Sequence, residues 1–323
     1  MCTAISYKNH HHYFGRTLDL EYSYNEQVVI TPKNFAFDFR NGKKLCDHYA
    51  IIGMATVSDN YPLYYEATNE KGLSVAGLNF PDNAYYPPLT DSAVNIAPFE
   101  LIPLILGKCQ SVKDAKQLLK NINIANINFS DEYKVSPLHW IISDANSSIV
   151  VEPLKSGLEV YDNPVGVLTN NPPFDWHITN LGNYINLSSK MPQNRFSNNF
   201  ELIPYSRGMG TMGLPGDVSS ASRFVRAAFN KLNSICLSDK DELSQFFHIL
   251  GSVEQITGCV DLGEGKYERT VYTSCCNTDK GIYYYTTYNN RQITAVNMHK
   301  EKLDTSQLIC YPLVLTQQIK QQN

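Results

Sequence analysis

Apolar and polar positions alternate along much of the chain in short runs broken by turn residues, the period of strands with one covered face. The first run is "CTAISYK" and the second "YFGRTLDLEYS", with "NHHH" between them as a turn. A turn centred near residues 9 to 10 makes these an antiparallel hairpin and sets Cys2 opposite residues 16 to 18. Arg16 and Asp19 then stand near the amino end of the chain. Further runs follow at "HYAIIGMATV", "GLSVAGLNF", "HWIISD", "SIVVEP", "LEVYD" and "VGVLTN". Asp144-Ala145-Asn146-Ser147 is a turn between two of them. Near the C-terminus, "TVYTSCCN", "GIYYYTTY" and "QITAVNM" read as a meander joined by "TDKG" and "NNR".

Helical periodicity comes in two groups. "PFELIPLILGKC" is helical, with Pro103 expected to bend or divide it. "SVKDAKQLLKN" has Ser111 and Asp114 at capping-box spacing. "SSASRFVRAAFNKLN" and "DELSQFFHILGSVEQI" each follow a serine or aspartate cap. Strands in blocks, then helices, then strands again argue a layered α+β fold rather than alternating βαβ units. No repeat, linker or low-complexity tract divides the 323 residues, so one domain is expected. The turn-rich stretch from Asn186 to Gly210 is the expected subunit contact.

Composition narrows the partners. A hydrophobic content of 43% with 18% charge is globular, and a net charge of −4 offers no footprint for nucleic acid or an anionic membrane. The N-terminus turns polar by Lys8-Asn9, and the longest apolar stretches, such as "LIPLIL", are too short to span a bilayer. A cytoplasmic protein with mostly reduced cysteines is expected.

Several motifs carry no chemistry. "GMGTMG" follows "PYSR" rather than a strand and precedes Leu214-Pro215-Gly216 rather than a helix, so it reads as a loop and not a dinucleotide site. His10, His11 and His12 read as a solvated turn, because nothing completes a metal-ligand set. Cys275 and Cys276, being adjacent, cannot pair with ordinary disulfide geometry and read as a strand with one thiol buried. Cys2 differs. Once Met1 is removed it carries a thiol and a free α-amine, whose reference pKa values of about 8.5 and about 7.7–8.0 permit proton transfer near neutrality. A nearby arginine favours the thiolate, and a carboxylate can orient the amine. The hairpin puts Arg16 and Asp19 within reach for these parts.

"MCTAI", "FGRTLDLEYSY", "NEKGLSVAGLNFP", "GVLTNNPPFDWH" and "LPGDVSSASRFVRAAF" together resemble the choloylglycine hydrolase family, N-terminal-nucleophile hydrolases that include bile salt hydrolases and penicillin V acylases. The resemblance runs from Cys2 to about Leu315 and implies a four-layer αββα sandwich, two antiparallel sheets between helical layers, in a homotetramer. It implies Cys2 as nucleophile with its freed amine as base, Arg16 beside the thiol, and Asp19 holding the amine. Asn170 and the backbone N–H of Asn79 would serve the oxyanion, and Arg223 the charge network; Asn171 is not given a catalytic part. The implied reaction cleaves the amide between a bile acid and glycine or taurine, with no metal or cofactor. Leu18, Leu20, Tyr65 and Leu138 are candidate walls for the steroid or ordinary core. Asn79 stands where the penicillin V acylases tend to have tyrosine, which favours bile salts. Thr17 departs from the asparagine frequent between the arginine and the aspartate. Penicillin V acylase activity on the same machinery, and a non-catalytic binding protein on this fold, are the alternatives.

Overall fold

The computed structural model describes residues 1–323. Strands β1 (Cys2–Lys8) and β2 (His12–Leu20) form the expected hairpin, with Cys2 opposite Leu18 and Ala4 opposite Arg16. The chain continues through β3 (Gln27–Thr31), β4 (Ile51–Ser58), β5 (Tyr61–Asn69) and β6 (Ser74–Asn79). Helices α1 (Leu101–Lys108) and α2 (Val112–Leu119) come next, then β7 (Leu138–Ser143), β8 (Ser148–Leu154), β9 (Gly157–Asp162) and β10 (Val167–Leu168). Three helices follow, α3 (Phe174–Asn180), α4 (Ser220–Asn233) and α5 (Glu242–Gly251). Four strands complete the framework: β11 (Arg269–Asn277), β12 (Ile282–Thr287), β13 (Thr294–Asn297) and β14 (Ile309–Pro312).

The strands make two antiparallel sheets. One has six strands in the order β10-β1-β2-β11-β12-β13; the other has eight in the order β9-β8-β7-β6-β5-β4-β3-β14. Alternation decides what each face meets. Val28, Ile30, Ile52 and Ala76 turn inward to a core shared with Ala4, Phe14 and Tyr272 of the six-stranded sheet. Val29, Ile51 and Val75 turn outward to Leu101, Ile105 and Val112 of α1 and α2. Helices α4 and α5 cover the other sheet, against β1, β2 and β11. The layers are α, β, β, α.

Four local expectations need correction. Pro103 does not interrupt its helix: a 3₁₀ turn (Pro98–Glu100) comes first, and Pro103 falls in the first turn of α1, where no N–H has an intrahelical partner. Asp241 stands at the start of α5 without capping it, its carboxylate taking Ser238 Oγ at 2.8 Å instead. Cys275 and Cys276 are both buried, since β11 is covered on both faces. His12 is not solvated but fully buried, with Nε2 2.9 Å from Ser6 Oγ and Nδ1 2.8 Å from Thr278 Oγ1. Strand β5 escapes the alternation altogether, because both faces are covered and its polar Glu66 and Asn69 are buried too.

Burial lowers His12 to about 4, and His177 likewise. The unfolded chain gains protons at these rings near pH 6.5 that the folded chain refuses, so their contribution to stability falls as pH drops from 6.5 towards 4. In urea unfolding, the stability gap between wild type and His12→Asn should shrink by roughly 1–2 kcal/mol from pH 6.5 to 5. A constant gap would mean that the buried ring is not held neutral.

Candidate active site

The amino end of β1 lies between β2 and β10, and α4 packs across it. That placement gathers side chains from four parts of the chain. The Cys2 N–H donates to Asn170 Oδ1 at 2.8 Å. The same oxygen accepts from Arg223 Nη2 at 2.8 Å, while Arg223 Nη1 reaches the Cys2 carbonyl and, at 2.6 Å, Thr3 Oγ1. Arg223 Nε closes the clamp on the Val218 carbonyl at 3.0 Å. Asn170 presents its Oδ1 to this cluster, so its Nδ2 faces the other way and donates to the Asn79 carbonyl at 2.7 Å.

Asn79 sits where β6 has lost one neighbour. Its pairing with β5 ends at Ala76, while pairing with β7 continues at Asn79–Leu138. The Phe80 N–H bonds the Pro137 carbonyl at 2.8 Å. By strand alternation, Asn79 therefore turns its own N–H and C=O away from β7, to the side where Asn170 meets it. Asn171 goes elsewhere, its Nδ2 donating to the Pro81 carbonyl.

Two buried side chains that can carry charge come from the strand paired with the cysteine. Arg16 is buried, with Nη1 donating to the Gly77 and Tyr65 carbonyls and Nε 3.8 Å from Glu66 Oε2. Burial opposes its charge, but Cys2, Tyr272, Glu66 and Asp19 outweigh that and hold it above the usual arginine range. Asp19 is also buried, accepting from Thr270 Oγ1 at 2.6 Å and Thr17 Oγ1 at 3.1 Å. Burial pushes the Asp19 carboxyl up, against the pull of Arg223, the N-terminal amine and both threonines. Asp19 does not bond the Cys2 nitrogen here. With Met1 in place that nitrogen is a peptide group with a single proton, already given to Asn170. The Met1 amine instead donates to the Asp19 carbonyl at 2.8 Å and pairs with Glu268.

A cavity of about 460 Å³ opens on Cys2. Arg16, Leu18, Leu20, Tyr65, Asn79 and Leu138 all line it, so every wall residue expected from the sequence stands there. Phe99, Ile102, Phe129 and Trp140 make the wall more apolar than the sequence suggested. No group of three or more His, Cys, Asp or Glu side chains could hold a metal ion. The arrangement can hold a long apolar acyl group, present its carbonyl to Cys2 and place amide donors on the oxygen.

A model of the linear amide C–N hydrolases of the choloylglycine hydrolase family matches residues 2–311. The chain belongs to this family. It is 55% identical, over 97% of both chains, to the bile salt hydrolase/transferase of Lactiplantibacillus plantarum. Its structure superposes on a substituted variant of the conjugated bile acid hydrolase from Clostridium perfringens with a TM-score of 0.93 and 41% identity, covering 100% of each chain. A penicillin V acylase from Agrobacterium tumefaciens shares the fold at a TM-score of 0.77 and 17% identity, over 96% of this chain and 90% of that one.

Several residues that support this choloylglycine hydrolase site were given no part from the sequence. Glu66 backs Arg16 while accepting from Tyr272 Oη at 2.8 Å and from Tyr283 Oη. His177 Nε2 lies 2.9 Å from the Asn170 carbonyl and its ring stacks on Phe224. His139 Nε2 lies 2.9 Å from the preceding Thr169 carbonyl, and its Nδ1 3.0 Å from Glu152 Oε1. Ser220 Oγ accepts the Asn170 N–H at 2.8 Å. His177 and Ser220 fall inside the motifs that carry the resemblance, but nothing in those strings marks their contacts. Buried polar residues look like surface in a linear pattern, so their role is visible only once the sheets close. The glycine-rich "GMGTMG" holds a short 3₁₀ turn (Met209–Thr211), as a loop should.

Proposed function

We propose that this protein hydrolyses the amide of bile acids conjugated to glycine or taurine, with Cys2 as nucleophile once Met1 is gone. The observation that carries this reading is the largely apolar cavity of about 460 Å³ ending at a buried Cys2 beside the Asn170–Asn79 pair. A pocket of that size and lining suits a steroid acyl group. The relatives from Lactiplantibacillus plantarum and Clostridium perfringens are named for the same class of substrate.

Removing Met1 turns the Cys2 peptide nitrogen into an amine with spare protons. One stays on Asn170, and another can reach the Asp19 side chain, which the hairpin sets beside it. Burial lowers the Met1 amine, and an amine one residue deeper meets the same desolvation, which favours its neutral, basic form. It takes the thiol proton as sulfur attacks the carbonyl carbon, with Arg16 favouring the thiolate. The oxyanion receives the second Nδ2 proton of Asn170 and the Asn79 N–H. Collapse breaks the C–N bond, and the ammonium protonates the departing amine. Water activated by the neutral amine then cleaves the thioester.

Parallel assays on glycine-conjugated cholate, taurine-conjugated cholate and phenoxymethylpenicillin test the reading. Bile conjugates should turn over faster, and a clear preference for the penicillin would favour the acylase reading instead. Asn170→Ala should lower kcat by about 10²–10³-fold, the usual cost of one oxyanion donor. An unchanged kcat would remove Asn170 from that role.

The loop at 186–210 exposes Phe196, Phe200, Ile203 and Tyr205, an apolar set that fits the proposed subunit contact of a cytoplasmic homotetramer. Light scattering on a Phe196→Ser/Ile203→Ser double variant should show smaller assemblies than wild type; equal mass for both would rule the loop out as the contact.

A further inference from the structure

The two amide donors assigned to the oxyanion come from different sheets. Asn79 ends β6 of the eight-stranded sheet, and Asn170 follows β10 at the edge of the six-stranded one. Such donors stabilise an oxyanion only when both point at the same oxygen, held to within a fraction of an ångström. Their direct tie, from Asn170 Nδ2 to the Asn79 carbonyl, ends on a rotatable side chain. The site therefore needs a second connection between the sheets.

His139 makes one. It lies on β7 opposite Leu78 of β6, and alternation turns its ring to the inter-sheet face that also carries Leu78 and Ile141. The ring is fully buried and stacks on Phe80, the residue after Asn79, with centroids 4.2 Å apart and planes 6° from parallel. Its Nε2 lies 2.9 Å from the carbonyl of Thr169, the residue before Asn170. A carbonyl only accepts, so Nε2 carries the proton. Its Nδ1 lies 3.0 Å from Glu152 Oε1, and the same carboxylate takes the Phe174 N–H at 3.0 and 3.2 Å. Phe174 opens α3, which carries His177 to the Asn170 carbonyl. Glu152 thus fixes both the His139 ring and the start of the helix that holds Asn170 from its other side.

We propose that His139 is a positioning residue for the oxyanion hole, coupling Asn79, through Phe80, to Asn170, through Thr169. The assignment rests on the hydrolysis proposed above and deepens it. The ring stands behind the cavity wall rather than in it, so it acts through the two donors and not on the substrate.

Kinetics on glycine-conjugated cholate, run beside the rate of iodoacetamide alkylation read at Cys2 by peptide mass, test it in protein lacking Met1. Alkylation needs the thiolate but no oxyanion donor, so it separates the hole from the nucleophile. The glutamine of His139→Gln cannot stack on Phe80 and meet both Thr169 and Glu152 as one rigid ring does. It should lower kcat by about 10–10²-fold, the cost of a small misplacement, with KM within about threefold and alkylation within about twofold of wild type. Phe80→Leu keeps the hydrogen bonds of the ring and removes the stack, so it should show a smaller loss of the same kind even if His139→Gln fails to fold. Added to Asn170→Ala, His139→Gln should cost less than it does alone, because one donor it positions is already gone. Unchanged kcat in either folded variant, an equal fall in kcat and alkylation, or losses that add in full would overturn the assignment. Absence of wild-type turnover on every bile conjugate would overturn the proposed activity, and this assignment with it.

Discussion

Cys2→Ala loses amide hydrolysis by at least about 10⁴-fold in kcat, as expected when the atom that forms the covalent intermediate is removed. The thiol is small and its site is held by other groups, so the variant should unfold within about 1–2 kcal/mol of wild type. Protein that retains Met1 should be equally inactive although its thiol is intact. In that form the Cys2 nitrogen is an amide with no lone pair to offer, and the only amine is diverted to the Asp19 carbonyl and Glu268. Intact mass and active-site titration on one preparation separate the two effects: the active fraction should equal the fraction lacking Met1. Full activity in a preparation that keeps Met1 would end the α-amine mechanism.

Arg223→Leu should cost both stability and turnover. The guanidinium is fully buried and serves the carbonyls of Cys2 and Val218, Thr3 Oγ1 and Asn170 Oδ1. It also opposes the desolvation of the buried Asp19, as Asp19 does for it. Removing it leaves several acceptors unpaired and one carboxylate without its nearest strong cation. The expected penalty is about 3–5 kcal/mol, seen as a drop of several degrees in Tm. Asn170 then loses the donor that fixes its orientation, so kcat should fall at least as far as in Asn170→Ala. Arg223→Lys keeps the charge but reaches fewer of these acceptors at once, so it should regain stability more than activity. Wild-type kcat in a folded Arg223→Leu would show that the clamp does not position Asn170.

The β1–β2 hairpin was legible from the chain because its register depends on one short turn between two alternating runs. That local rule was enough to set Cys2 opposite Leu18, with Arg16 and Asp19 close by. The cap at Ser111 was legible for the same reason, and Ser111 Oγ accepts the Asp114 N–H as the spacing implies. Asn170 and Arg223 were reached through family resemblance, since no local pattern connects residues 2, 170 and 223. What joins them is β10 adding to the edge of β1 and α4 crossing above it.

The hidden part of the site is polar and buried. Glu66 on β5 and His177 on α3 are polar residues that no alternating or helical pattern marks as buried. Polar residues at alternate positions face water when a sheet has one open side, and here both faces are covered. The sequence by itself offered Cys2 as the candidate nucleophile, set Arg16 and Asp19 near it across a hairpin and indicated the layered α+β class, because hairpin register and fold class depend on short-range turns and periodicity. Only the tertiary structure decided which distant amide meets Cys2, which buried acids support the arginines and where the cavity closes. Those contacts are set by sheet order and helix placement, which are fixed by packing across the whole chain.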